Sequence, residues 1–252
     1  GSSALVRLGE KYCGLLDGGN GKTDVSSLLF KNGIDALDFL VLSHGDSDHA
    51  DGVAKVLKEH RVGMLFVADN PDDPGIAEIV SAARNTGCRI YPVSGHCEIT
   101  FQKDSEMQIY FERDQKSFNN SSLVIQLNTE NGSAVFPGDL AYSGENRLLR
   151  DGFPEKCDLL TVAHHGSDSG TGTDFLKKLQ PEYAVISVGR NNLYGHPSEA
   201  VLERLRKADI TVYRTDLQGA IRVIFYGRSL LETWLGERER IIEILPWQHG
   251  TK

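Results

Sequence analysis

Leu40-Val41-Leu42-Ser43-His44-Gly45-Asp46-Ser47-Asp48-His49-Ala50-Asp51-Gly52 sets an apolar run directly against a dense polar turn. The leading apolar side chains predict a buried strand. His44, Asp46, Asp48 and His49 then fall within six positions, all of them residue types that bind divalent cations. So many ionisable groups crowded at a strand end would repel and desolvate one another unless a cation held them together. A solvated loop in which Ser47 or Asp51 caps a following helix accounts for the polarity, but not for ligand types at alternating spacing. The stretch is a predicted metal site.

Outward from it, strand-like and helix-like segments alternate. Residues 4–8 and 12–16 predict a hairpin leading into Asp17-Gly18-Gly19. Helices are expected over 25–30, 53–59 and 76–85, and strands over 39–42, 64–67 and 89–92. Asp69 to Gly75 is rich in proline and Asn/Asp and predicts a turn. From 99 to 135 the pattern becomes antiparallel, and after Asp139 the α/β alternation returns. Strands at 159–162 and 183–188 and a helix over 198–208 are expected there, with strands at 211–214 and 220–225 closing the sheet. No repeat or linker divides the chain, so residues 1–252 are expected to form a single domain.

The global numbers exclude little. The chain has 252 residues, 40% of them hydrophobic, enough for a substantial core. A net charge of -8 argues against polyanion binding over the whole surface, though a local basic groove stays compatible with it. Four scattered cysteines (Cys13, Cys88, Cys97 and Cys157) form no Cys-x-x-Cys pair and predict reduced thiols in a cytoplasmic protein. No apolar run approaches membrane-spanning length.

Further stretches share one grammar, an apolar strand followed by a ligand-type residue. Val135-Phe136-Pro137-Gly138-Asp139 presents Asp139, and Leu159 to Gly166 ends in His164-His165. Asn191 to Pro197 aims His196 just before a helix, and Phe118-Asn119-Asn120-Ser121-Ser122 precedes another strand. A Gly-Asp turn, or a lone His before Pro, is by itself an ordinary structural feature. Their joint occurrence matters, because ligands and catalytic groups in layered α/β folds gather at strand ends.

The His44-x-Asp46-x-Asp48-His49 block, the Gly138-Asp139 turn and the His164-His165-Gly166 strand end resemble the metallo-β-lactamase superfamily, in the same order along nearly the whole chain. Asn119 to Leu123, Asn192 to Pro197 and Tyr213 to Ile221 narrow the likeness to the metallo-β-lactamase-like domain of competence DNA-uptake channel proteins. That resemblance implies an α/β (α+β) chain folded as a four-layer αββα sandwich, with two divalent metal ions at one edge. It implies that His44 and Asp46 hold one ion with Asn120 as a third ligand. Asp48, His49 and His165 would hold the other, and Asp139 would bridge them. Asp48 would also belong to the catalytic machinery. His164 would be a supporting partner or an alternative ligand, and His196 a proton donor or phosphate contact. Asp17 would either orient a ligating His or merely cap its turn. Paired cations in such a site polarise a phosphoryl or carbonyl oxygen and acidify a water.

Two departures stand out. Asp46 occupies a position that is usually His, and Asn119 or Asn120 replaces a usual His. An oxygen-rich first site tilts the expected metal from Zn²⁺ toward Mn²⁺, with Mg²⁺ compatible. The family's usual first strand and its Asp-Val-Gly-x-Gly loop are also missing or truncated, unless Gly1-Ser2 is a remnant. The expected activity is phosphodiester hydrolysis on nucleic acid or a nucleotide, with Arg190, Arg214, Lys177 and Lys178 as candidate rim cations. The alternatives are hydrolysis of a small ester, lactone or phosphomonoester, and a metal-free binding or signalling module. Fusion to, or association with, a larger protein is also compatible with the sequence.

Overall fold

The computed structural model describes residues 1–102, 105–114, 117, 119–225, 229–235 and 238–243; Gln102, Asn119, 229–235 and 238–243 are described by backbone alone. Phe118, part of one polar stretch singled out in the sequence, lies outside the described residues.

A five-stranded sheet is built from β1 (Ala4–Leu8), β2 (Tyr12–Leu16), β3 (Ala36–Leu42), β4 (Arg61–Ala68) and β5 (Arg89–Val93), in that spatial order. β1 and β2 form the expected hairpin, and β2 to β5 run parallel. Parallel neighbours need crossovers. These are α1 (Val25–Lys31), α2 (Ser47–Glu59) and α3 (Pro74–Arg84). Phe39, Leu40, Val41 and Leu42 are fully buried, which is why β3 reads as a continuous apolar run and not as an alternation.

The second sheet runs β12-β11-β10-β9-β8-β7-β6. Its strands are β6 (Gly95–Gln102), β7 (Ser105–Phe111), β8 (Val124–Thr129), β9 (Gly132–Phe136), β10 (Leu159–Thr161), β11 (Tyr183–Ile186) and β12 (Thr211–Arg214). Three helices accompany it: α4 (Tyr142–Arg150), α5 (Thr173–Leu179) and α6 (Glu199–Lys207).

Alternation along the second sheet decides the layering. Met107, Ile109, Phe111, Leu123, Ile125 and Leu127 pack into one core with β3, α1, α2 and α3. Val124, between two of them, points the other way, toward Leu148 of α4, Phe175 of α5 and Val201 of α6. The rings of Phe39 and Phe101 meet across the sheets with centroids 4.9 Å apart. Helices therefore flank two face-to-face sheets, the expected αββα sandwich.

Residues 220–225 do not close the second sheet as the sequence suggested. The short helix α7 (Thr215–Gln218) and Gly219, at φ 76°, turn the chain off the edge of β12. β13 (Ala220–Phe225) instead starts a separate antiparallel sheet with β14 (Ser229–Leu235) and β15 (Arg238–Glu243). Ile221, Val223 and Phe225, at period two, lay one face of β13 on Ala134, Leu159, Tyr183 and Tyr213. Among the described residues no helix is long and apolar enough to cross a membrane.

Candidate metal centre

Helix α2 begins at Ser47, not at the expected residue 53, so Asp48 and His49 ride on its first turn. Asp46 holds the cap position in extended conformation, yet its side chain caps nothing and is left facing His44. Gly52 lets this helix approach the Gly18-Gly19 turn: a Cβ there would lie 1.8 Å from the Gly18 carbonyl oxygen. The same contact seats Asp17 beneath His49.

Asp17 is buried at φ 56° and acts on the centre directly. Its Oδ2 accepts from His49 Nδ1 at 2.7 Å and from Ser43 Oγ at 2.9 Å, and its Oδ1 accepts from the Ser43 N–H at 2.7 Å. This geometry favours the orienting role over the turn cap.

Asp139 follows β9 and is almost fully buried. Its Oδ1 lies 3.2 Å from His49 Nε2 and 4.0 Å from His165 Nε2. Its Oδ2 lies 3.7 Å from His44 Nε2 and 3.6 Å from His164 Nε2. One carboxylate thus faces two pairs of imidazoles, one pair at each oxygen. His165 Nε2 also meets Asp48 Oδ2 at 2.9 Å, and His44 Nε2 lies 3.6 Å from Asp46 Oδ2. Two clusters emerge, His44/His49/Asp139 and Asp48/His49/His165, each with its ligand atoms within 4.8 Å of one another.

Paired histidines reach opposite oxygens because both residues are left-handed, His164 at φ 49° and ψ 47°, His165 at φ 54° and ψ 20°. Such a conformation costs an L-residue about 1–2 kcal/mol, so the surroundings must impose it. His164 N donates to Gly138 O, Ser167 N to His164 O, and Ala163 N to Thr171 Oγ1. Further out, Glu145 of α4 accepts from the N–H groups of Thr171 and Gly172. Arg204 of α6 donates to the carbonyls of Gly170 and Thr171 and to Asp168.

The donor set fits cations. Each imidazole has its Nδ1 engaged away from Asp139: His49 on Asp17, His165 on the Ser187 carbonyl, His44 on Ser43 Oγ and His164 on Ser169 Oγ. That is how metal-binding histidines are usually held, with the far nitrogen fixing the ring and its tautomer. Among the described residues, the inward Nε2 atoms of His44 and His49 are buried without a hydrogen-bond partner. Buried polar atoms left this way are costly unless something binds them.

Electrostatics agree. Burial opposes charge on His49, but the Asp17 and Asp139 carboxylates overcome it and hold the ring's proton well above the usual histidine range. Burial likewise works against the Asp139 carboxylate, and the imidazoles of His49, His44 and His165 reverse this and keep it ionised. His165 draws Asp48 down to about 2 against burial, and His44 lowers Asp46. His196 moves the other way: burial first, then the neighbouring His164 and His165, lower it. Its ring stands edge-on to His164, with centroids 5.9 Å apart.

Asn120 does not join this group. Its Oδ1 accepts from the Ala141 N–H and its Nδ2 donates to Ser143 Oγ, so both ends of the amide serve the start of α4. Two of the four rim cations are paired: Arg214 forms a two-pronged pair with Asp216, and Lys177 pairs with Asp174. Sequence reasoning missed Ser43, Ser169, Ser187, Glu145 and Arg204; of these only Ser43, adjacent to His44, left a signal in the motif itself.

Two face-to-face sheets between helices, with this ligand order at their strand ends, are the metallo-β-lactamase fold, and the solved neighbours of the chain belong to that superfamily. One of them, provisionally named a metal-dependent hydrolase, from Parabacteroides distasonis, superposes with a TM-score of 0.55 at 10% identity, covering 86% of this chain and 90% of that one. In sequence the chain is similar to the ComE operon protein 3 of Bacillus subtilis (strain 168), 37% identical over 204 residues, 79% of this chain and 26% of that protein. It is also 33% identical over 226 residues to the competence protein ComA of Neisseria gonorrhoeae, covering 88% of this chain and 30% of that protein. The chain spans under a third of the length of these relatives. No protein-family model matches it.

Proposed function

We propose that the chain is a metal-dependent phosphodiesterase acting on nucleic acid or a nucleotide. The observation that carries this is Asp139, whose two oxygens each face a different imidazole pair, the arrangement a bridging ligand of two cations requires. His44, Asp46 and His164 would hold one cation at Oδ2, and Asp48, His49 and His165 the other at Oδ1. His164 thereby takes the place the sequence gave to Asn120. Two bound divalent cations would polarise a phosphoryl oxygen, acidify a water and neutralise the departing oxygen.

The chain's own groups do the rest. Asp17, Ser43, Ser169 and the Ser187 carbonyl keep four imidazoles oriented before any ligand arrives. Three carboxylates stand beside the four imidazoles, so the donor set holds more oxygen than an all-imidazole site and suits Mn²⁺ or Mg²⁺, and hence phosphate substrates, better than that would. His196, beside His164 and not turned onto Asp139, is placed to hydrogen-bond a substrate or leaving oxygen. The similarity to competence proteins supports a nucleic-acid substrate.

A screen of bis-p-nitrophenyl phosphate, single-stranded DNA, RNA and small lactones across Mn²⁺, Mg²⁺ and Zn²⁺ tests the reading. Phosphodiester hydrolysis, faster with Mn²⁺ than with Zn²⁺, is expected. Turnover of lactones alone, or a purified protein that binds none of these ions, would overturn it.

A further inference from the structure

Leu193 and Tyr194 are 97% and 84% exposed, the most exposed large apolar side chains among the described residues. Single exposed hydrophobics are ordinary. These two are adjacent, and they sit on a loop that is braced. Asn192 Oδ1 accepts from the His196 N–H at 2.9 Å, while Asn192 Nδ2 donates to the carbonyls of His196 and Gly189. Both ends of the Asn192 amide are thus spent within the loop, and its two apolar side chains stand largely in solvent.

Tyr194 is also joined to the metal centre. Its ring lies nearly parallel to that of His196, at 18° with centroids 6.0 Å apart. His196 in turn stands edge-on to His164, whose Nε2 is 3.6 Å from Asp139. A file of rings thus runs from the centre to solvent and ends in one open aromatic face. Exposed Arg190, its Nε held by the Asp216 carbonyl, lies on the approach to the same loop.

We infer that Tyr194, with Leu193 beside it, is a stacking platform for a base of single-stranded nucleic acid whose phosphodiester lies in the metal centre. This rests on the phosphodiesterase reading and adds where the base goes. A flat, open ring accepts another flat ring, and stacking tolerates any base sequence. It also fits the charge: with a net charge of -8 and Arg214 and Lys177 already paired, this chain must hold a polyanion by contacts other than a broad basic surface.

The test compares a fluorescent oligothymidylate with an equally long strand of abasic residues, using Mn²⁺-loaded wild type, Tyr194→Ala and Tyr194→Phe. Both binding by anisotropy and kcat/KM for cleavage are measured. Wild type should prefer the thymidylate strand, Tyr194→Ala should cut that preference about 5- to 100-fold, and Tyr194→Phe should keep most of it. Equal handling of both strands by wild type, or an unchanged preference in Tyr194→Ala, overturns the platform. If nothing is cleaved, bis-p-nitrophenyl phosphate included, the catalytic reading fails, and binding alone then decides: a base-dependent affinity lost in Tyr194→Ala upholds the platform, and its absence rejects it. Tyr194 is exposed enough that the variants should melt with wild type.

Discussion

Replacing Asp17 by Asn tests how the centre is held without touching a proposed ligand. The Asp17 carboxylate receives three hydrogen bonds, two from Ser43 and one from His49 Nδ1. An Asn can keep its oxygen on the Ser43 N–H, but its NH2 then faces His49 Nδ1, donor against donor. In the neutral form that binds a cation, the ring would then favour its proton on Nε2, the atom 3.2 Å from Asp139 that the cation needs. Loss of such a partner behind a ligating His typically lowers metal affinity about 10- to 100-fold, or about 1.4 to 2.7 kcal/mol. Stability should fall as well, by up to about 1.5–3 kcal/mol for a charge-assisted bond, less whatever is regained by no longer burying a charge. Calorimetric titration with Mn²⁺ reads the first effect, and urea unfolding of the chelator-stripped protein reads the second. Unchanged Mn²⁺ affinity alongside lowered stability would refute the orienting role and leave Asp17 a turn residue.

Asp139→Ala should lose metal binding at both positions, measured by metal content after dialysis; retention of two ions per chain would refute a bridging role. Gly52→Ala forces a Cβ to 1.8 Å from the Gly18 carbonyl, so helix α2 must shift at a cost of about 1–3 kcal/mol or more, read in urea unfolding. Phe175→Ala empties a fully buried site under α5 and should cost about 3–5 kcal/mol in the same assay. Burial raises the Glu145 carboxyl to about 7, against the opposing pull of the Gly172 and Thr171 N–H groups and Arg204. The folded chain then keeps a proton that the unfolded chain releases. Its contribution is present in full below about 4.5 and is lost as pH climbs through 7, by about 3 kcal/mol. Glu145→Gln should flatten that slope between pH 5 and 8; parallel pH–stability profiles for variant and wild type would contradict it.

Much of the site was legible because ligand chemistry depends on residue type and on strand ends, and both are written locally. His44, Asp48, His49, Asp139 and His165 each follow an apolar run long enough to announce a buried strand, and the structure brings all five together. The αββα layering was legible only through the resemblance, from the family order of the motifs. The start of α2 was not legible: Gly45 to Ser47 look like loop residues, yet the helix begins at Ser47, six residues before the expected position, and packs through Gly52 on Gly18. Nor was the destination of residues 220–225, which depends on how α7 and Gly219 redirect the chain.

Asn120 and His164 mark the boundary most clearly. Both are polar residues beside a strand; the resemblance implied a ligand role for the first and left the second as a supporting partner or an alternative ligand. What separates them is direction. Ala141 and Ser143 take both ends of the Asn120 amide, while bonds of His164 with Gly138 and Ser167, and of Ala163 with Thr171, brace the left-handed turn whose two histidine rings face opposite oxygens of Asp139. The sequence by itself determined which side chains were present to bind a cation. Only the tertiary structure decided which way they point, because direction comes from backbone angles imposed by hydrogen bonds between segments far apart in the chain.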